Sequence, residues 1–289
     1  MIRRIVNKIK RDGLIVSIKK VIRLIFHPSF ATYKLAKEFI KYYEGFGGHF
    51  KSNGEERLLD KLSGQNISIV FDAGANVGDW SALALKKFRN AKVHAFELSE
   101  STYINTRLKF STEERLVLNN CGLSDSVGEF EYKDYGENSG LNTLLIDANF
   151  HDHRLKAKVK KAQINTGSAY CKLMNINSID LLKIDVEGAE HLVLLGFSEL
   201  LEKGQIKVIQ FEYGYSNGDA NFLIKDFYKM LEGYGYVLGP LKPSGVIFMD
   251  FDYALNDFKS GPNYVAVHKS FKSILNAVKG NPILGFPTR

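Results

Sequence analysis

From residue 67 onward, the chain alternates short apolar runs with segments of helical periodicity. Short apolar runs between turn-forming residues predict buried strands, and apolar positions that recur every three or four residues predict helices. The predicted strands cover residues 68–72, 92–97, 115–119, 179–184, 207–213, 236–241 and 264–267. The predicted helices cover residues 79–88, 101–110, 189–203 and 219–231. This alternation predicts an α/β fold with a doubly wound, mainly parallel sheet of about seven strands.

The alternation is interrupted between the third and fourth predicted strands. Residues 129–133 predict a hairpin-like excursion, and residues 134–176 form a polar, Lys-rich insertion. We therefore divide the chain into three parts. They are a basic N-terminal helical extension and connector (1–54), a main domain (55–270) that carries the insertion (134–176), and a C-terminal tail (271–289).

The N-terminal extension contains a basic, amphipathic segment. Residues 1–23 hold eight Lys or Arg and one acid, so this segment accounts for the whole net charge of +7. Apolar side chains recur at helical spacing: Leu14, Ile15, Ile18, Val21, Ile22, Ile25 and Phe26. A helix with an apolar stripe beside a cationic face suits an anionic membrane surface. The same stripe also suits packing against the protein's own body, so both interpretations of residues 1–26 stay open.

Composition limits the partners and the compartment. Outside residues 1–23, basic and acidic residues are equal in number, which argues against nucleic acid as a partner. Cys121 and Cys171 fit neither a disulfide framework nor a zinc site. We therefore expect a cytoplasmic protein, peripheral on the inner face of the membrane if residues 1–26 bind lipid. The residues give no prediction of oligomeric state.

A glycine-rich turn, Phe-Asp-Ala-Gly-Ala-Asn-Val-Gly, follows the first predicted strand. Asp72 ends that strand, and Gly74 and Gly78 permit positive φ angles and close approach of the backbone to a ligand. A dinucleotide-binding turn requires the pattern G-x-G-x-x-G, whereas Asn76 and Asp79 occupy its second and third glycine positions. A nicotinamide-dependent oxidoreductase is therefore the weaker interpretation. The pattern D-x-G-x-N-x-G instead resembles the first motif of S-adenosylmethionine-dependent methyltransferases.

Two further positions complete a predicted nucleoside pocket. Glu97 ends the second predicted strand, and an acid about 20 residues beyond such a turn accepts hydrogen bonds from ribose hydroxyls. Ser124 and Asp125 lie in a predicted turn after the third strand, where an adenine amine would find an acceptor, although Asp125 would equally cap that turn. The predicted cofactor-binding residues are Asp72, Gly74, Ala75, Asn76, Gly78, Glu97, Ser124 and Asp125.

Four runs together resemble the FkbM-type methyltransferase family. They are the glycine-rich run 71–78, Ala-Phe-Glu at 95–97, Leu-Ser-Asp at 123–125 and, most specific of all, Leu-Lys-Ile-Asp-Val-Glu-Gly-Ala-Glu at 182–190. The resemblance covers residues 67–268. It implies the class I methyltransferase fold, S-adenosylmethionine as the methyl donor, and O-methylation of a sugar hydroxyl in a natural product or surface glycan. It also implies that the insertion shapes the acceptor site, where residues 139–143 resemble a substrate-side loop. The family's Leu-Asp pair before the fourth strand is absent, because residues 174–178 are Met-Asn-Ile-Asn-Ser.

Methyl transfer to a sugar hydroxyl requires alignment of donor and acceptor and a base for the hydroxyl proton. Asp185 ends the fourth predicted strand and is the first candidate for the base or for orienting the acceptor. Glu187, His191 and Glu212 lie at the same end of the predicted sheet and are further candidates. Asp185 and Glu187 would equally cap the helix predicted to begin near Ala189, since acids are favoured at helix N-termini.

Two alternatives accompany this interpretation. Asp185, Glu187 and Glu212 offer the oxygen ligands that suit Mg²⁺, but nothing in their spacing demands a metal, and we predict none. The alternative function is a non-catalytic, methyltransferase-like module that docks at the membrane within a glycan-assembly complex. The intact Asp72 and Glu97 argue against such a decayed cofactor site.

Overall fold

The computed structural model of the 289-residue chain describes residues 16, 18, 19, 22, 29–44, 50, 52–146, 156–253 and 263–281. Two compact units are present, Met1–Glu44 and Gly45–Arg289. In the first unit, helix α1 spans Phe30–Glu44. The helix predicted within residues 1–26 lies mostly outside the described residues. Within the described ranges, no helix combines the length and the apolar character needed to cross a bilayer.

The second unit contains two sheets and the helices that cover them. The strands are β1 (Ile69–Ala73), β2 (Lys92–Phe96), β3 (Leu116–Asn119), β4 (Gly122–Leu123), β5 (Gly128–Asp134), β6 (Lys158–Asn165), β7 (Ile179–Ile184), β8 (Ile206–Phe211), β9 (Tyr236–Lys242), β10 (Gly245–Val246) and β11 (Tyr264–His268). The helices are α2 (Glu55–Leu62), α3 (Asp79–Lys87), α4 (Glu100–Lys109), α5 (Gly167–Leu173), α6 (Glu190–Gly196), α7 (Ser198–Glu202), α8 (Tyr215–Asp219), α9 (Ile224–Gly233) and α10 (Lys272–Val278).

The main sheet has eight strands in the order β10-β9-β11-β8-β7-β1-β2-β3. The neighbours β3, β2, β1, β7 and β8 run parallel, whereas β11 is antiparallel to both β8 and β9. This topology confirms the predicted doubly wound α/β fold. The sequence pattern does not reveal β10, because a two-residue strand has no periodicity to detect.

The alternation of side chains along the central strands divides the core between the two faces of the sheet. Val70 and Leu181 pack in the cluster that α2, α3 and α10 cover. Phe71 and Leu182 pack in the cluster covered by α5, α6, α7 and α9. All six residues of β7 are buried, as expected for a central parallel strand. Loops at the carboxyl end of β7 are therefore held from both sides.

Two predicted helices differ from the prediction: one is divided in two, and the other begins later than predicted. Residues 189–203 form α6 and α7, because the chain leaves helical geometry at Phe197, whose fully buried ring contacts Phe71 at a centroid distance of 5.9 Å. The helix predicted at 219–231 begins at Ile224 as α9, because Asn221 adopts a left-handed φ of 55° after the end of α8.

The insertion holds more regular structure than its polar sequence predicts. The predicted excursion at 129–133 is β5, and its antiparallel partner β6 lies inside the insertion, followed by α5. The predicted turn that holds Ser124 and Asp125 does not follow the third strand directly, because Gly122–Leu123 forms β4 and pairs with β6 in a three-stranded sheet. The predicted C-terminal tail begins with α10, which packs near α2, where Lys61 Nζ donates to the carbonyl oxygen of Ala277 at 3.2 Å.

Candidate active site

The loops that follow β1, β2, β7 and β8 meet at one edge of the main sheet. The amide of Ala75 donates to the carbonyl oxygen of Phe96 at 2.9 Å, which joins the loop after β1 to the end of β2. The amide of Asp185 donates to the carbonyl oxygen of Ala73 at 3.0 Å, which joins the loop after β7 to the end of β1. The amide of Glu212 is bonded to the end of β7 in the same way. This edge is where open α/β sheets bind their ligands.

The glycine-rich turn after β1 has the predicted left-handed backbone. Gly74 has φ 81°, Asn76 has φ 47° and Gly78 has φ 76°. A Cβ on Gly74 would lie 1.8 Å from the carbonyl oxygen of Asp185, and one on Gly78 would lie 2.6 Å from the ring of Phe110. We predicted that these glycines let the backbone approach a ligand. Neighbouring parts of the protein already leave no space for a side chain at either position. The two glycines seat the turn against the loop after β7 and against the residue that follows α4.

Glu97 lies immediately after β2 and turns its carboxylate toward the glycine-rich turn. One oxygen accepts from the amide of Asn76 and the other from the amide of Ser99, both at 2.8 Å. The side chain is only 5% exposed, and burial raises the pKa of Glu97 to about 7 despite these two hydrogen bonds, which lower it. A carboxylate oxygen can accept more than one hydrogen bond, so each oxygen of Glu97 has room for a further donor. Glu97 therefore stands where a ribose bound at this turn would meet it.

Asp72 is fully buried beneath the same turn. It accepts a hydrogen bond from the hydroxyl of Ser81 at 2.7 Å, and it forms an ion pair with Lys183 at 3.2 Å. Burial raises the pKa of Asp72, whereas the Lys183 ammonium and the Ser81 hydroxyl oppose that shift. Asp72 is thus enclosed by protein groups, and its contacts hold the base of the turn.

Lys183 connects the glycine-rich turn to the loop after β7. Its ammonium lies 3.2 Å from Asp72, 3.2 Å from Asp185 and 3.2 Å from the carbonyl oxygen of Gly74. Burial alone would lower the pKa of Lys183, but the charges of Asp185, Asp72 and Glu55 outweigh it and raise the pKa. The cation therefore stays charged inside the core, where one ammonium bridges two acids on adjacent strands.

Asp185, Glu187 and Glu212 form an acidic cluster beside this bridge. One carboxylate oxygen from each lies within 4.8 Å of one from each of the other two, and all three side chains are half-buried. Glu187 has a left-handed φ of 55°, and the glycine after it has φ 104°. The structure thus brings together three of the four residues predicted for catalysis, from the ends of two adjacent strands.

The three acids hold their protons unequally. Burial acts to raise the pKa of Asp185, but the Lys183 ammonium and a hydrogen bond from Glu212 together lower it. The charge of Asp185, followed by burial, raises the pKa of Glu212 well above its usual range. Burial and then the charge of Asp185 raise the pKa of Glu187 to about 9. Of the three acids, Asp185 is therefore the one that ionises most readily, whereas Glu187 and Glu212 hold their protons to higher pH.

His191, the fourth predicted catalytic residue, does not belong to this cluster. It lies on the first turn of α6, and its ring stacks on Phe222 at a centroid distance of 4.6 Å. Burial lowers the pKa of His191. The imidazole therefore favours its neutral form and packs against an aromatic side chain, and a catalytic role for it stays a prediction.

Ser124 and Asp125 follow β4 at the far side of the crevice. The amide of Ser124 donates to the carbonyl oxygen of Asn165, and its hydroxyl donates to Asp125 at 3.3 Å. The hydroxyl of Ser126 donates to the same carboxylate oxygen at 3.1 Å. These bonds are those of a capped turn, and a role toward adenine remains a prediction.

A segment of the insertion, residues 136–145, crosses from α4 to the acidic loop, and we call it the strap. Asn105 on α4 donates to Glu137 at 2.5 Å, and the strap amide of Asn138 donates to the hydroxyl of Thr102 at 3.2 Å. Further along, the hydroxyl of Thr143 donates to the carbonyl oxygen of Glu187 at 2.8 Å. The strap includes the predicted substrate-side loop at 139–143 and borders both the cofactor side and the acidic cluster.

Sequence reasoning missed Lys183, Glu190 and Asn217 as candidate site residues. Lys183 and Glu190 stand in the family-like run at 182–190, where a lysine in an otherwise apolar strand signals a buried charge that needs partners. Asn217 carries no such signal, because a polar residue after a strand is ordinary in a loop. Only the fold brings it against Glu190, where Asn217 Nδ2 donates at 2.6 Å.

The residues at the turn fit S-adenosylmethionine. The side-chain oxygen of Asn76 is buried and has no hydrogen-bond partner, so it can accept from the amino group of S-adenosylmethionine. Glu97 stands beside it for the ribose. The acidic cluster has the oxygen ligands that Mg²⁺ prefers, and it equally suits carboxyls that share protons. Neither interpretation of the cluster bears on the fit of the cofactor.

The model of the methyltransferase FkbM domain family matches residues 72–238, which is more than half of the chain. The match begins at Asp72 and includes the glycine-rich turn, Glu97, the acidic cluster and the insertion.

Two curated relatives are "Methyltransferase 1" of Beauveria bassiana (strain ARSEF 2860) and "Methyltransferase sdnD" of Sordaria araneosa. The first is 24% identical over 159 residues, which cover 50% of this chain and 64% of the relative. The second is 26% identical over 156 residues, which cover 45% of this chain and 60% of the relative. The chain thus spans less than two thirds of the length of either relative. Among solved structures, the Streptococcus mutans protein SMU.1697c in complex with SAH matches at a TM-score of 0.40 and 14% identity, over 74% of this chain and 96% of that one.

Proposed function

We propose, from the premise that this chain belongs to the FkbM methyltransferase domain family, that it methylates a hydroxyl group of a sugar or glycan. Membership of the family makes the chain a methyltransferase of the S-adenosylmethionine-dependent type. The sugar hydroxyl as acceptor, and the parts played by individual residues, are the proposal.

The observation that supports the proposal most is the contact between the cofactor side and the acidic cluster. Gly74 of the turn and Asp185 of the cluster approach so closely that no side chain fits between them. Lys183 bonds to groups on both sides. A methyl donor held at the turn would therefore present its reactive end to the acids that follow β7 and β8. Alignment of donor and acceptor is the main requirement of methyl transfer.

Asp185 is suited to act as the base. When bound, S-adenosylmethionine supplies a methyl group on a positively charged sulfur. That methyl group would move from the sulfur to the acceptor hydroxyl oxygen and leave S-adenosylhomocysteine, and Asp185, the acid whose pKa is lowered, would accept the hydroxyl proton. While they hold their protons, the carboxyls of Glu187 and Glu212 can donate hydrogen bonds to other sugar oxygens. A positioned base typically contributes about 10²- to 10⁴-fold to such a reaction.

A transfer assay tests the proposal. Purified protein is incubated with tritium-labelled S-adenosylmethionine and a polysaccharide extract of the producing cells, and the products are analysed by mass spectrometry. We expect label on a sugar residue whose mass has increased by one methylene group. Label on protein or lipid alone would contradict the sugar acceptor. Calorimetry with S-adenosylhomocysteine separates an enzyme from a non-catalytic module, because a decayed pocket would give no heat of binding.

We propose in addition that the N-terminal unit binds an anionic membrane surface. Residues 1–44 contain eleven Lys or Arg and three acids. Leu35 and Phe39, one turn apart on α1, are 64% and 71% exposed, and Ile18 and Ile22 are exposed as well. Lys34 and Lys37 lie on another face of α1. Exposed apolar side chains beside lysines are the combination that lies in an anionic lipid interface.

Vesicle sedimentation of the full chain tests this second proposal. We expect binding to phosphatidylglycerol vesicles that weakens as salt is added, and no binding to neutral phosphatidylcholine vesicles. The variant Leu35→Ser/Phe39→Ser should lose binding. The matched control is Ile104→Ser/Leu108→Ser, because those residues are also exposed and one turn apart, on α4 of the second unit. Equal binding by both double variants would overturn the proposal, and unfolding on deletion of residues 1–26 would favour packing on the body.

A further inference from the structure

Glu190 is a buried acid that the proposed chemistry does not use. It is the first residue of α6, and it is 1% exposed. One carboxylate oxygen accepts from the amides of Val186 and Gly188, both at 3.1 Å, and the other accepts from Asn217 Nδ2 at 2.6 Å. None of the ion pairs among the described residues includes Glu190. Burying an acid without a cationic partner costs free energy, which suggests that the contacts of Glu190 serve a purpose beyond stability.

On one side, Glu190 fixes the loop that carries Asp185 and Glu187. The two amides that donate to Glu190 belong to the residues on either side of Glu187, whose left-handed φ of 55° is unfavourable for a residue with a side chain. Gathering both amides on one oxygen holds that turn and directs the side chain of Glu187 into the acidic cluster. A Cβ on Gly188 would lie 2.6 Å from Leu145 of the strap, so this loop has no room to shift.

On the other side, the contact reaches the loop that carries Glu212. Asn217 is 1% exposed, and while its Nδ2 donates to Glu190, its Oδ1 accepts from the amide of Gly214 at 2.7 Å. Gly214 lies two residues after Glu212. A chain of hydrogen bonds thus runs from the loop after β7, through Glu190 and Asn217, to the loop after β8.

We propose that Glu190 and Asn217 form a positioning pair that sets the separation between the acids of the two loops. Neither side chain is in the acidic cluster, and each acts through the backbone of the loop that it holds. The pair keeps the ionised Asp185 within reach of Glu212, which donates to it. This inference rests on the proposed function, because it assigns the pair to the alignment of the base for methyl transfer.

An exchange of the two polar groups tests the pair. In Glu190→Gln, the oxygen still accepts from the two amides, but the new amide group faces that of Asn217, and the 2.6 Å bond is lost. In Asn217→Asp, two carboxylates face each other. The double variant Glu190→Gln/Asn217→Asp restores every donor and acceptor, because the introduced amide group donates to one oxygen of the introduced carboxylate and the backbone amide of Gly214 donates to the other. The net charge of the double variant equals that of the wild type.

We expect Glu190→Gln to slow transfer of label to the polysaccharide extract by about 100-fold, which is what a misplacement of about 1 Å costs. Affinity for S-adenosylhomocysteine should stay within about twofold, because the turn after β1 is untouched, and the double variant should regain most of the rate. Tyr170→Phe is the matched control, since it removes a buried 2.8 Å contact with His94 away from the site. It should lower stability without slowing transfer.

Two results would overturn the positioning pair. One is a Glu190→Gln variant that keeps the wild-type rate, and the other is a double variant that remains as slow as the single one although it is folded. Crystal structures of the same variants measure the separation of Asp185 and Glu212 directly. They test the pair even if the wild-type protein transfers no label to polysaccharide, an outcome that would count against the proposed function alone.

Discussion

The two halves of the crevice use carboxylates in opposite ways. On the cofactor side, Asp72 and Glu97 have hydrogen-bond partners for their charge, namely a hydroxyl, an ammonium and two backbone amides. On the acceptor side, Asp185, Glu187 and Glu212 face one another within 4.8 Å. Burial affects both sides, but only the second set must share protons to limit the repulsion of its own charges.

This difference separates groups that shape the site from groups available for chemistry. An acid whose lone pairs accept from fixed amides holds a backbone in place and changes little when a ligand arrives. An acid in a cluster gains or loses a proton at small cost, which is what an acid or base in catalysis requires. Lys183 joins the two sets, because it neutralises Asp72 on one side and keeps Asp185 ionised on the other.

Removal of Lys183 should produce the largest effect, because both halves depend on it. We expect Lys183→Met to lower the free energy of unfolding by about 3–5 kcal/mol, since it leaves Asp72 buried without a cation. Urea denaturation measures the change. The control Lys172→Met breaks an exposed pair with Glu199 and should cost at most about 1 kcal/mol. Equal effects of the two variants would contradict the bridging role of Lys183.

Asp185→Ala should separate chemistry from binding. We expect the transfer rate to fall by about 10²- to 10⁴-fold, because the ionised base is removed. Affinity for S-adenosylhomocysteine, measured by calorimetry, should change little. Asp180→Asn is the control, because Asp180 is a buried acid that pairs with Lys207 at the other end of β7 from Asp185. Full turnover by a folded Asp185→Ala protein would exclude Asp185 as the base.

Glu97→Ala should weaken cofactor binding. We expect affinity for S-adenosylhomocysteine to fall by about 100-fold or more, since each hydrogen bond to a charged group contributes about 1.5–3 kcal/mol. The amides of Asn76 and Ser99 also lose their acceptor, so the turn itself loosens. The control Glu113→Ala removes an acid that bonds to Arg115 outside the crevice and should leave affinity unchanged. Unchanged affinity in Glu97→Ala would remove Glu97 from the cofactor site.

Sequence patterns predict the fold well where burial repeats with a regular period. The central strands are continuous apolar runs, and the glycine-rich turn locates the end of β1. Prediction fails where a contact between distant segments decides the local structure. Phe197 ends α6 because its ring packs on Phe71, and β6 forms because β5 lies beside it, although its own sequence is mainly polar.

The candidate site likewise contains residues that the sequence could predict and residues that it could not. Asp185, Glu187 and Glu212 could be predicted together, because each closely follows a parallel strand and such strands end at one edge of a sheet. His191 was placed with them by proximity in sequence, but the first turn of α6 directs it onto Phe222. Sequence alone could not reveal the partner of Glu190, because Asn217 is 27 residues away and on α8, which follows another strand.

The pH dependence of cofactor affinity provides the finest distinction between the two halves. Burial raises the pKa of Glu97 from 4.5 to about 7. Ribose hydroxyls donate to the ionised form, so affinity for S-adenosylhomocysteine should rise about tenfold between pH 6 and pH 8 and then level off.

The contribution of Glu97 to the stability of the ligand-free protein should have the opposite dependence on pH. Because the folded state binds the proton more tightly than the unfolded state, that contribution falls as pH rises from about 4.5 to 7. Glu97→Gln should abolish both slopes, whereas Asp185→Ala should keep them; a slope of affinity that survives in Glu97→Gln would assign the titration to another group.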